Sequence, residues 1–258
     1  MSTRIPRRRF LAGAAAGAGA LALGGCDRLV QNADVERILR LAERLTMGAQ
    51  RALLSGGALA REYSEAELSP VFRSNGTSRP AGEAYAALAE TGFADWRLSI
   101  DGLVQRPLSL SLADLKQLPS RTQITRHDCV EGWSAIGKWT GVPLGLLLQT
   151  AGLAANARYA VFHCADEYER SADGSGRYYE SIDLVDAFHP QTILAYALNG
   201  QDLPVANGAP LRLRVERQLG YKQAKYLMRI EVVESFAHIS RGRGGFWEDR
   251  GYEWYAGI

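Results

Sequence analysis

Residues 126–133 read Arg-His-Asp-Cys-Val-Glu-Gly-Trp and place an imidazole, a carboxylate and a thiol at three consecutive positions. Each can do chemistry. A thiolate attacks electrophiles or binds soft metals, an imidazole moves protons near neutral pH, and a carboxylate orients or ligates. On a strand, His127 and Cys129 would share one face and Asp128 the other. A cysteine nucleophile needs a lowered pKa and a base, and His127 stands two residues away. Cysteine hydrolases, however, take base and nucleophile from distant parts of the chain, and none of their local signatures is present. A serine hydrolase elbow fails because Ile136 occupies the second glycine position after Ser134. His127, Asp128, Cys129, His163 and Cys164 are all zinc-ligand types, at spacings that match no finger. Cys129 and Cys164 could also be small buried hydrophobes, or a single disulfide in an oxidising compartment, or Cys129 could anchor something larger.

The surrounding elements must present these groups. "TQITRHDC" alternates like a strand with Cys129 at or just past its end, and "WRLSIDGLV" is a strand turning at Asp101-Gly102. Ser111-x-x-Asp114 forms a capping box for a short helix that Pro119 ends, and "PLGLLLQTAG" is a helix with Pro143 in its first turn and Gly152 as its stop. "RYAVFHCAD" is a buried strand, "IDLVDAF" is helical, and "TILAYALNG" fits strand or helix. "PLRLRVER" and "YLMRIEVVES" are further strands. Asp34 can cap an amphipathic helix carrying Val35, Ile38, Leu39, Ala42 and Leu45, which serves as a spacer and packs on the body. Residues 69–82 are rich in Pro, Gly and Ser and form an irregular loop of the kind that carries function. Short strands and short helices without a βαβ rhythm imply an α+β domain rich in antiparallel or mixed sheet.

The first 25 residues read as an export leader. Arg7-Arg8-Arg9-Phe10-Leu11 is a twin-arginine n-region, and a small apolar stretch to Gly25 is too short to span a bilayer. Leu23-Gly24-Gly25-Cys26 resembles a lipobox, with Cys26 as the acylated residue; the alternatives are simple cleavage and an uncleaved signal with Cys26 free. Removing the leader takes away four arginines and moves the net charge from +2 to −2, which leaves no electrostatic case for nucleic acid. Gly17-x-Gly19-x-x-Ala22 follows basic residues rather than a strand and is no dinucleotide fingerprint. C-x-x-C and C-x-x-C-H are absent, against zinc ribbons and covalent c-type haem. The route implied by the leader is one taken by proteins that fold and load a cofactor before export.

"RHDCVEGWSAIGKWTGVPLGLLL" resembles the molybdenum-anchoring segment of the sulfite oxidase superfamily, in its bacterial molybdopterin-dependent branch. "NGQDLPVANGAPLRLRVERQLGYKQAKYLMRIEVVE", about 80 residues on, is similar to that family's pterin-binding stretch. The resemblance covers most of residues 69–236 and implies one sulfite-oxidase-like molybdopterin-binding domain. By it, Cys129 corresponds to the molybdenum ligand, where a soft thiolate suits a high-valent metal. Asn207 and Arg212 correspond to pterin contacts, and Gln223, Ala224 and Lys225 to the turn that holds the terminal phosphate. Asn75 corresponds to another pterin contact with Phe72 as its companion, and Cys164 or His163 falls where the bacterial branch has a pterin-contacting threonine. His127 is expected to face the metal pocket and relay protons, while Trp133 and Trp139 are expected as core aromatics.

The implied activity is two-electron oxygen-atom transfer on a small S-oxide, sulfoxide or related oxo compound. The chain has no haem or flavin motif, so electrons would pass to or from an external carrier such as a membrane haem protein or cytochrome. True sulfite oxidases resemble one another in carrying arginines just after the metal-binding cysteine; here Glu131 is the charge, and it would repel sulfite. The alternatives are a sulfite oxidase or dehydrogenase, and a molybdopterin-binding protein without turnover. The expected organisation is a leader over 1–25, a helical segment over 26–68, the cofactor domain over 69–240 and a tail over 241–258, in a monomer exported to the periplasm.

Overall fold

The computed structural model describes residues 32–53, 57–169, 171 and 176–258, so the leader and Cys26 lie outside the described residues. Two compact units divide at Leu53/Leu54. The first contributes one helix, α1 (Ala33–Leu53). Its cap is Asn32, whose Oδ1 accepts from the Asp34 amide at 2.9 Å; Asp34, expected as the cap, sits in the first turn beside Arg37 at 3.1 Å.

Residues 57–68, grouped in the sequence with the helical segment, run instead with the sheets of the second unit. The Tyr63 amide donates to Ile124 O at 2.9 Å, and Gln191 clamps Ala60 from both sides, accepting from its amide and donating to its carbonyl. The rest of this unit contains α2 (Glu83–Glu90), β1 (Arg97–Gly102), β2 (Leu108–Ser111), α3 (Leu112–Gln117), β3 (Arg121–Cys129), β4 (Trp133–Pro143) and α4 (Leu144–Ala151). It continues with β5 (Tyr159–Glu167), β6 (Arg177–Asp183), α5 (Leu184–Ala187), β7 (Ile193–Leu198), β8 (Gln201–Asp202), β9 (Arg212–Arg214) and β10 (Leu227–Val233).

One sheet is mixed, with order β2-β1-β10-β5-β6 and only β1 and β10 parallel. The other is antiparallel, β3-β4-β7-β8, with β9 also on β7. The fold is therefore α+β with short helices. Leu98, Ile100, Phe162, Leu194, Leu213 and Ile230 belong to one core in which residues from both sheets are buried. Local chemistry accounts for the corners. Ser111 and Asp114 form the expected reciprocal cap, and Gly152, at φ 71°, ends α4. "TILAYALNG" resolves as strand β7, turning into β8 through Asn199 and Gly200, both at positive φ. Gly102 is required by close approach: a Cβ there would meet Val232 O at 2.3 Å.

Candidate active site

Strand β3 delivers Cys129 at its last residue, paired with Trp133 across a tight turn in which Gly132 takes φ 85°. The half-buried thiol opens on a cavity of about 210 Å³ whose polar wall comprises Asn75, Cys129, Glu131, Asp166, Gln223 and Lys225. Tyr168, Tyr178, Tyr221, Trp247 and Tyr252 supply aromatic wall, the last two from the glycine-rich tail. Sequence reasoning did not single out these five aromatics or Asp166. Their order along the chain carries no motif: Tyr168 and Tyr178 meet at 5.5 Å between ring centres, and Trp247 and Tyr252 join Tyr168 and Tyr221 when the tail folds against β6, where the Phe246 amide donates to Tyr179 O at 2.9 Å.

Lys225 stands at the centre of the polar wall. Its ammonium donates to three carbonyls, those of Asn75 (2.6 Å), Thr77 and Ala206 (3.2 Å), and so ties the irregular 69–82 loop to the turn before β10. Burial, then Arg212, pulls its pKa down to about 7. Arg212 is completely buried beside it; a Cβ on Gly208 would touch both side chains at once. The guanidinium donates to Asn207 O at 2.9 Å and Gln223 O at 3.4 Å, and it lies 5.0 Å from the Trp139 ring centre. Burial, then Arg214, lowers it to about 9. Among the described residues no carboxylate forms an ion pair with Arg212 or Lys225. A buried cation without a counter-ion is costly, so this pair is built for an anion.

Several polar atoms here are buried and unbonded: Asn75 Oδ1, Asn207 Nδ2, Arg212 Nε and Asp166 Oδ1. Three belong to residues that the sequence resemblance assigned to a pterin. Unmet donors and acceptors gathered beside an anion-seeking pair and a soft thiol fit a large polar, anionic cofactor better than they fit a closed core. Ala224 is buried within the same turn, fixed by the Leu213 amide donating to its carbonyl at 2.8 Å.

His127 is placed otherwise than expected. It shares the Cys129 face but lies fully buried behind the cavity, with Nδ1 receiving a hydrogen bond from Arg214 Nη1 at 3.0 Å. Burial, then Arg214 and Arg212, pushes its pKa well below the usual histidine value. A neutral, packed ring is not a solvent-coupled proton relay at neutral pH. Nor does it activate a nucleophile: burial raises the Cys129 thiol, and the Glu131 carboxylate adds to this against the backbone amides of Glu131 and Val130. A cysteine hydrolase needs the opposite shift.

Phe72 does not line the cavity; it wedges edge-on against Trp139 (5.0 Å) and Trp133 (6.3 Å) and tilts against His127 (5.7 Å). Cys164 and His163 line a second cavity of about 530 Å³ with Tyr85, Arg177 and Arg229. Both body cysteines are free, which removes the disulfide considered above. Among the described residues no group of three or more His, Cys, Asp or Glu converges as a metal site. Glu131 is fixed at the rim, accepting from the Gly76 amide at 3.3 Å and Trp133 Nε1 at 3.0 Å.

Known proteins share this chain's pattern. A candidate protein-methionine-sulfoxide reductase subunit, YedZ1 of Azospira oryzae, is 38% identical over 254 residues, 97% of this chain and 87% of that one. The protein-methionine-sulfoxide reductase catalytic subunit MsrP of Xanthomonas axonopodis pv. citri is 39% identical over 145 residues, 54% of this chain. That alignment spans 45% of the relative's own length. Among solved structures, the sulfane dehydrogenase SoxCD from Paracoccus pantotrophus aligns with a TM-score of 0.48 at 25% identity, over 55% of this chain and 39% of that one. A family model described as an oxidoreductase molybdopterin binding domain matches residues 85–238. That match covers more than half of the chain, and the protein belongs to the molybdopterin-binding oxidoreductase family.

Proposed function

We propose that this oxidoreductase carries molybdenum on molybdopterin and moves one oxygen atom from a small sulfoxide or related S-oxide, with two electrons supplied by an external carrier. The observation that carries the reading is a cavity lined by a free half-buried thiol and by Lys225, with Arg212 buried directly behind Lys225 and neither cation in an ion pair with a carboxylate among the described residues. Cys129 would hold the metal. Arg212, Lys225 and the Gln223-Ala224 turn would hold the anionic end of the cofactor, and Asn75 and Asn207 would meet its polar ring atoms. When bound, the cofactor supplies a metal centre that changes oxidation state by two electrons.

The protein's own residues set what enters. The aromatic walls of Tyr168, Trp247 and Tyr252 exclude water and favour an apolar flank on the substrate. Glu131 at the rim opposes sulfite and other anions. Two of the relatives above, YedZ1 and MsrP, are named for protein-bound methionine sulfoxide, which makes that group the substrate to try first. Export by the twin-arginine route, with acylation at Cys26, would hold the enzyme in the periplasm beside a membrane electron carrier.

Reduced viologen oxidised by a panel of sulfoxides and N-oxides, against sulfite-dependent reduction of ferricyanide, tests the reading. Sulfoxide-dependent turnover by cytoplasmically matured protein is expected. Sulfite-dependent turnover alone would reassign the chain as a sulfite dehydrogenase, and normally folded protein without molybdenum would remove the reading altogether. Mass spectrometry of the mature N-terminus checks the acylation of Cys26.

A further inference from the structure

Asp166 is the one acidic group of the cavity that is both buried and left with an unbonded oxygen. It is 2% exposed, lines the cavity with Cys129, and its Oδ1 has no partner. Strand β5 turns it there through an irregularity. Pairing with β6 is regular from Tyr159↔Asp183 to His163↔Tyr179 and then shifts before Glu167↔Arg177, while pairing with β10 shifts opposite Leu227 and Arg229. Between the shifts, the Ala165 amide donates to Tyr226 O at 2.9 Å. A break in register at a sheet position re-aims the side chain that follows it.

The groups that face this carboxyl come from five places. They are Lys225 and Tyr226 before β10, Tyr85 on α2, the side chain of Thr77 in the irregular loop, Tyr168 just past β5, and Cys164 on β5 itself. Glu131 shares the cavity wall. Burial raises the Asp166 carboxyl to about 7, against the opposing pull of Lys225 and Thr77. A carboxyl in that range carries a proton for part of the time at neutral pH and can give it up without a large penalty.

Oxygen removal from a sulfoxide consumes protons. In R₂S=O + 2H⁺ + 2e⁻ → R₂S + H₂O the S–O bond breaks, sulfur is reduced by two electrons from the external reductant, and the oxygen leaves with two protons. The basic groups at and behind the cavity are poorly placed to give them. His127 is packed behind the cavity and accepts at Nδ1, Arg212 is held by backbone carbonyls, and Lys225 donates to three of its own.

We propose that Asp166 hands a proton to the departing oxygen and is reloaded from solvent through the cavity mouth. The proposal rests on the sulfoxide-reducing reading above. A second role would be to bind the cofactor's amino groups, and the experiment separates the two.

Holoenzyme carrying Asp166→Asn or Asp166→Glu is compared with wild type for molybdenum per chain, reduced-viologen turnover with L-methionine sulfoxide and dimethyl sulfoxide between pH 5 and 9, and infrared absorption of protonated carboxyl groups. The expected result for Asp166→Asn is molybdenum within about twofold of wild type and kcat per molybdenum lower by about 10²-fold or more. The fall in wild-type rate on raising the pH through about 7 should be lost, along with one protonated-carboxyl band that titrates in the same range. Asp166→Glu should recover part of the rate.

Unchanged kcat per molybdenum and an unchanged pH profile in Asp166→Asn would overturn the proposal. So would loss of molybdenum with normal turnover by the fraction still loaded, which would make Asp166 a cofactor contact. Loaded wild-type enzyme inert toward every sulfoxide would overturn the functional reading and this proposal together.

Discussion

Arg214 Nη1 donates to His127 Nδ1 at 3.0 Å, in a pocket where both side chains are fully buried. A guanidinium can only donate, so Nδ1 must accept and the ring proton must sit on Nε2. The Gln223 Oε1 contact to the same nitrogen, at 3.4 Å, would need a proton on Nδ1; the shorter bond from an obligate donor decides the tautomer. Nitrogen–proton correlation spectra of protein purified without molybdenum should show His127 as the Nε2–H form. An Nδ1–H signal would mean that Arg214 points elsewhere.

Arg214 also grips Glu216 with two bonds, Nε to Oε1 at 2.8 Å and Nη2 to Oε2 at 2.6 Å, and neither side chain reaches solvent. Arg214→Ala strands a buried carboxylate and should cost about 3–5 kcal/mol in urea unfolding. Glu216 also accepts from Gln123 at 2.9 Å, which softens the loss only partly. A cost under about 1 kcal/mol would show that water reaches Glu216 in the variant.

Gly220 passes close over His127: an added Cβ would lie 2.5 Å from Nε2 and 2.6 Å from Cε1. The ring is pinned by Arg214 and cannot retreat. Gly220→Ala should therefore displace the 220–225 turn, with about 1–3 kcal/mol lost in stability. Because that turn bears Gln223, Ala224 and Lys225, molybdenum content should fall as well. Full loading with native stability would place the turn outside cofactor binding.

Lys222 is buried between two carboxylates, Glu180 at 2.5 Å and Glu248 at 2.6 Å. Burial, reinforced by Glu248, lifts Glu180 well above the usual carboxyl range, although Lys222 opposes the shift. A carboxyl raised in the folded state holds its proton there and loses it when unfolded. Its stabilising contribution is complete below the unfolded value of about 4.3 and declines as pH rises toward the folded one, by at most about 1.4 kcal/mol per pH unit. Glu180→Gln should thus flatten the fall in Tm between pH 5 and 8. An unaltered slope would mean that Glu180 is ionised throughout.

Cys129→Ser replaces a soft ligand by a hard one at a half-buried position. It should leave unfolding free energy within about 1 kcal/mol of wild type and retain less than about a tenth of the molybdenum. Elemental analysis beside urea unfolding reads both, and full metal content would refute the ligand assignment.

Much of the scaffold around Cys129 was legible because its signals are local. The alternation of "TQITRHDC", the Ser111/Asp114 box and the Gly152 stop each depend on neighbours within four residues, and each formed. The position of Asp34 missed by two residues because Asn32 offers an equally good side-chain oxygen one residue before the helix. "TILAYALNG" could not be settled by periodicity, since both faces of β7 are largely buried and an apolar run reads alike as strand or helix. The alternation of "PLRLRVER" marks a strand but does not show that its arginine face is covered. Burial of Arg212 and Arg214 depends on Trp139, Glu216 and the 220–225 turn, none of which is apparent from alternation. Asp166 escaped notice because a slip in strand register is invisible to a pattern of period two.

Trp139 has two guanidinium groups near its ring, Arg214 at 4.4 Å and Arg212 at 5.0 Å from the ring centre, and no solvent contact. Removing an electron from this indole would place another positive charge beside Arg212 and Arg214, of which Glu216 offsets only Arg214, in a medium that screens poorly. The aromatic cluster of Phe72, Trp133 and Trp139 is thus a poor conductor despite its close rings, and it insulates the side of the site on which it stands.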